Sequence, residues 1–148
     1  MRRLLLVATL SACGPAAGTE PLAMADLETF EARVEPHLEA RCSLGGCHGR
    51  AERPLALYAP GAYRADPERT YLDEPLDAFE LLENARRISA FAGDLRAADT
   101  LVIRKPLAIE AGGVWHGGGS VFVDDTDPSC RALVGWLDSR TIPDGGTR

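Results

Sequence analysis

The chain has 148 residues, the size of one domain, and its 45% hydrophobic and 26% charged residues exclude a disordered polymer. A formal net charge of -6 argues against nucleic acid as the partner. Aromatics make up only 6%, while 15 glycines and 10 prolines describe a small, loop-rich domain that borrows core volume from something else.

The first residues are Met1-Arg2-Arg3, a short positive head, followed by an apolar run from Leu4 to Leu10 broken only by Thr9. A helix needs about 20 apolar residues to span a bilayer. This run is far shorter and has the make-up of a signal-peptide core. Leu10-Ser11-Ala12-Cys13 closely resembles the bacterial lipobox, which implies a signal peptide over 1–12 and a lipid on Cys13. Loss of Arg2 and Arg3 would take the mature chain from -6 to -8. The bland alternative is an ordinary secretory signal with a chance cysteine. Residues 13–25 are small and polar, with Pro15 and Pro21, and read as a tether between anchor and domain. Gly14, rather than aspartate, follows the cysteine, which points to the outer membrane.

A folded domain is expected over 26–142. Asp26 caps a helix running to about Arg41, with Leu27, Phe30, Val34 and Leu38 at helical spacing and a kink or restart at Pro36. Residues 50–73 read as an ordered loop. A second helix is predicted from Pro75 to Phe91, with Leu76, Phe79, Leu82, Ile88 and Phe91 inward, ended by Gly93. A short third helix runs from Asp99 to Lys105 before Pro106. Residues 111–120 are glycine-dense around Trp115 and His116. Asp127-Pro128 opens a last helix whose apolar side is Leu133, Val134, Trp136 and Leu137. A frayed tail follows over 143–148. No strand pattern persists, so the fold class is all-α with long loops.

The chemistry lies in Cys42, Cys47 and His48. Covalent haem attachment needs two thiols for the two vinyl groups and an adjacent histidine for the iron, usually as C-x-x-C-H. Here the spacing is two residues longer, and Gly45-Gly46 offers a place to bulge through positive φ. His48 is then the proximal ligand by adjacency. The methionines, Met1 and Met24, both precede the predicted helices, so His116 is the candidate for the opposite axial position. Paired histidines lower a reduction potential relative to histidine and methionine.

Other readings of the same residues stay open. Cys42 and Cys47 can form a short disulfide stapling a surface lipoprotein that has no cofactor and serves as a binding or structural module. Cys42, Cys47, His48 and His116 can be drawn as a zinc site, although adjacent Cys47 and His48 suit one tetrahedral centre poorly. His116-Gly117-Gly118-Gly119 has the form of a lipase oxyanion loop, but no G-x-S-x-G turn accompanies it. His37 reads as a surface residue, and Cys130 as a small buried one that could also link to another chain. No nucleophile–base set is present, and the chain is not expected to be an enzyme.

Phe30, Val34, Pro36, Leu38 and Cys42, then Cys47-His48-Gly49, resemble the start of planctomycete-type cytochrome c-like domains. So do Leu101, Lys105-Pro106, the run from Gly112 to Gly119, Phe122, Asp127 and Leu133-x-x-Trp136-Leu137. The resemblance covers most of 27–139, apart from 50–95. It departs in the Cys42–Cys47 spacing and at Cys130, where the family more often has an aromatic residue. It implies a small cytochrome c-like helical domain carrying covalent haem c, lipid-anchored at the cell envelope and exchanging electrons with a redox partner protein there.

Overall fold

The computed structural model describes residues 26–139. The expected signal peptide, tether, lipidated Cys13 and C-terminal tail lie outside the described residues. Among the described residues the regular structure is helical, with one isolated parallel bridge between Leu107 and Phe122. The fold is all-α with long loops. No helix among the described residues is long and apolar enough to cross a membrane.

The N-terminal helix is one run of three pieces: α1 (Leu27–Thr29), a π turn (Phe30–Val34) and α2 (Glu35–Arg41). Asp26 caps it, its carboxylate accepting from the N–H groups of Glu28 and Thr29 at 3.1 and 3.2 Å. The break expected at Pro36 takes the form of the π turn. Proline lacks an N–H and its ring collides with the carbonyl four residues back, so the helix widens just before it. The Glu35 N–H reaches back to the Phe30 carbonyl, and α2 restarts with Pro36 in its first turn.

Helix α3 (Ala78–Ala92) starts three residues later than its apolar pattern predicts. Asp77 and Glu80 form a capping box, each side chain accepting from the other's backbone N–H. Its buried face also differs from the predicted one. Leu81, Asn84, Ala85, Ile88 and Ala92 are buried, whereas Phe79 and Phe91 are exposed. The reason is Glu80 and Asn84, polar residues that turn inward because partners wait there. Arg64 donates to both Glu80 oxygens at 3.0 and 2.7 Å, and the Asn84 amide both accepts from the Tyr58 N–H and donates to its carbonyl. These bonds fasten the long loop of residues 50–77 onto α3.

A 3-10 turn (Ala97–Asp99) leads into α4 (Leu101–Arg104), where the short third helix was expected. The chain then makes a wide excursion that closes on itself. The Val121 and Phe122 N–H groups both donate to the Pro106 carbonyl, at 2.7 and 2.8 Å, and Ala108 N–H donates to Phe122 O at 2.9 Å. Helix α5 (Pro128–Asp138) follows, capped by Asp127 as its sequence predicts. Leu133, Trp136 and Leu137 are buried on it, as is Cys130. Trp136 packs on Phe30 with ring centres 4.8 Å apart and donates through its indole N–H to the Asp26 carbonyl at 3.1 Å. The two ends of the domain are thereby joined, and α2, α3, α4 and α5 are left bordering one cleft.

Candidate functional site

Two loops present the candidate residues to that cleft. The first follows α2. Cys42 and Ser43 N–H groups donate to the Leu38 carbonyl, Cys47 N–H to Leu44 O at 2.8 Å, and His48 N–H to Cys42 O at 2.9 Å. The six residues from Cys42 to Cys47 therefore wind into a compact knot. Gly45 and Gly46 do not supply the positive φ anticipated for them; neither is in that region, and a side chain at either would meet open space. The indispensable glycine is Gly49, where a Cβ would fall 1.9 Å from the Ser43 carbonyl oxygen. Arg53 clasps the knot from outside, donating to the carbonyls of Gly46 and Cys47 at 3.0 Å each.

Cys42, Cys47 and His48 all line the cleft, and both cysteines are free thiols. Burial pushes the Cys42 thiol up to about 11, so it stays protonated. His48 directs Nδ1 at the Leu55 carbonyl, 2.7 Å away. A carbonyl only accepts, so Nδ1 carries the proton and Nε2 holds the free lone pair. Burial lowers the pKa of His48. The Leu55 hydrogen bond opposes that shift, while nearby His116, Arg53 and Lys105 reinforce it. The result is a neutral imidazole, the form that binds metals.

His116 comes from the second loop. Its Nδ1 bonds the Gly119 carbonyl at 3.0 Å, and the Gly119 N–H returns to the His116 carbonyl at 2.9 Å. Gly119 sits at φ +78°, a conformation glycine adopts without strain, and this closes the turn. The two imidazoles approach each other across the cleft, with ring centres 6.0 Å apart and planes inclined by only 10°. Neither Nε2 has a protein hydrogen-bond partner among the described residues.

Between these loops lies a cleft of about 400 Å³, within the range of about 300–1,000 Å³ usual for cofactor sites. Leu38, Leu57, Ile88, Val102 and Leu133 make its floor and walls, and Phe91 and Leu101 stand at it partly exposed. Phe91 is thus placed on the cleft rather than in the core. Arg41 braces the assembly from the end of α2. It donates to both Asp127 oxygens at 2.8 and 2.9 Å and to the Val121 carbonyl, tying α2, the cap of α5 and the base of the His116 loop together. In sequence Arg41 is only the end of a helix and Arg53 only a loop residue, and nothing in their spacing marks either as a brace.

His37 stands apart from this cleft, half-buried and hydrogen-bonded to Ser129 at 3.0 Å. Cys130 is 1% exposed in the hydrophobic core, where burial raises its thiol pKa. A link through it to another chain is incompatible with that placement. No group of three or more His, Cys, Asp or Glu suited to a metal ion occurs among the described residues. Comparison with known proteins gives no match to a family model, a curated protein or a solved structure.

Proposed function

We propose that the chain is a lipid-anchored, single-haem c-type cytochrome-like protein that passes electrons at the cell envelope. The pair of imidazoles carries this reading. His48 and His116 stand in a parallel, stacked arrangement with ring centres 6.0 Å apart on one cleft, each with Nδ1 on a backbone carbonyl and Nε2 left as the nitrogen available to a metal. Fixing Nδ1 in this way sets the tautomer and aims the other nitrogen, as ligating histidines require. A tetrapyrrole brings its own equatorial nitrogens, so two protein ligands suffice where a bare ion would need three or more.

The rest of the cleft suits the same occupant. Cys42 and Cys47 share a wall with His48, and each would add its S–H across a vinyl group. The apolar floor fits a flat macrocycle and compensates for the small aromatic content of the chain. When bound, haem supplies the iron that changes oxidation state. His48 and His116 would hold that iron, and two histidine ligands would set a lower potential than histidine with methionine. This is a transfer role rather than a catalytic one.

The test is co-expression of the full chain with cytochrome maturation machinery, followed by denaturing electrophoresis and haem staining. The proposal predicts haem that migrates with the polypeptide and is lost in Cys42→Ala/Cys47→Ala. A colourless protein with Cys42 and Cys47 joined would replace the proposal with the disulfide-stapled alternative.

A further inference from the structure

The cleft is electrostatically unlike the rest of the chain. The sequence carries 22 acidic residues against 16 Lys and Arg, yet no carboxylate lines the cleft among the described residues, while Arg41, Arg53 and Lys105 do. Arg41 is neutralised by Asp127. Arg53 donates only to carbonyls, through Nε and one terminal nitrogen, which leaves its charge uncompensated and Nη1 without a protein partner. The Lys105 side chain forms no ion pair or hydrogen bond among the described residues, unlike Arg41, Arg50, Arg64, Arg69, Arg86 and Arg96, each of which is paired with a carboxylate. Two unmatched positive charges on an apolar, carboxylate-free cleft, both close enough to His48 to act on it, describe a ligand that is greasy over most of its area and carries anionic groups.

We infer that Lys105 and Arg53 receive the two carboxylate side chains of the tetrapyrrole and so fix the direction in which the macrocycle enters between His48 and His116. This rests on the reading in the preceding section and extends it from the iron ligands to the edge of the ring. It also gives Arg53 a double part, since the same side chain clasps the Cys42–Cys47 knot. Loading of the cleft and closure of the knot are then coupled through one guanidinium.

The experiment uses iron mesoporphyrin, which lacks vinyl groups and cannot react with the thiols. It is titrated into the full chain produced without maturation machinery, in parallel with its dimethyl ester, and the Soret band is followed. Each exposed charge pair adds a few-fold at most, so the diacid should bind about tenfold more tightly than the ester. Lys105→Gln should lose part of that preference while the ester affinity holds, and Arg53→Gln, which also removes the clasp on the knot, should weaken the diacid more than the ester; a general folding defect lowers both probes alike. Arg131→Gln, an exposed cation on α5 away from the cleft, should keep the full preference. Equal affinity of the wild-type chain for both porphyrins would overturn the inference, as would an undiminished preference in both glutamine variants. Failure of both porphyrins to bind at all would sink the cytochrome reading beneath it.

Discussion

Glu80→Gln is the change that should unfasten this domain most cleanly. The Glu80 carboxylate is fully buried and accepts from Arg64 Nε and Nη2 and from the backbone N–H groups of Ala65 and Asp77. Burial alone would raise its pKa, but these donors outweigh it and hold the group at about 2, against 4.5 for a free glutamate. A shift of that size corresponds to about 3 kcal/mol at neutral pH, since each unit is about 1.4 kcal/mol. Removing one partner of a buried pair leaves the other uncompensated, with a cost of about 3–5 kcal/mol. For a domain near 100 residues, 1 kcal/mol is worth about 4–8 °C, so Tm should fall by at least about 10 °C. The pH dependence has a definite sign. Because the folded pKa is depressed, the contribution is complete above about pH 5 and disappears as pH falls towards 2. Thermal unfolding followed by circular dichroism at pH 7 and at pH 2.5 reads both effects. Wild type and variant should differ widely at the first and converge at the second. Equal midpoints at pH 7 would refute the assignment of Glu80 as the clasp of the 50–77 loop.

Further outcomes follow from other sites. Glu35 is buried with Asn84 as its hydrogen-bond donor, and burial raises it to about 7. A raised carboxyl is tolerated while protonated and penalised once ionised, so stability should decline from about pH 5 to above 7. Glu35→Gln should abolish that decline and stabilise the domain at pH 8 but not at pH 4, as urea titrations at the two pH values would show. Gly49→Ala places a methyl against the Ser43 carbonyl and should cut the yield of holoprotein severely, whereas Gly45→Ala, with open space around it, should not. Pulse-labelled haem incorporation in the two variants makes the comparison.

Much of the frame was legible in the residues because it rests on local signals. Asp26 and the Asp127-Pro128 pair cap where capping chemistry places them, and Leu133, Trp136 and Leu137 turn inward at helical spacing. The face of α3 was not legible. A search for apolar periodicity selects Phe79 and Phe91 and passes over Glu80 and Asn84, whose burial depends on Arg64 and Tyr58 in a distant loop. In the same way Gly45-Gly46 draws the eye, while the close approach occurs at Gly49, where the chain packs on its own carbonyl. Cys42, Cys47, His48 and His116 could be picked out by residue type, and they do border one cleft. The orientation of His48 and His116 could not, because it depends on the backbone carbonyls of Leu55 and Gly119, and an acceptor that every residue possesses leaves no mark in a sequence.

The most direct test asks whether one iron sits between the two imidazoles. Absorption and electron paramagnetic resonance spectra of the matured protein should be low-spin in the oxidised state, and His116→Ala should convert them to high-spin with haem still attached. A high-spin wild-type spectrum, or a low-spin one that His116→Ala leaves unchanged, would contradict the account.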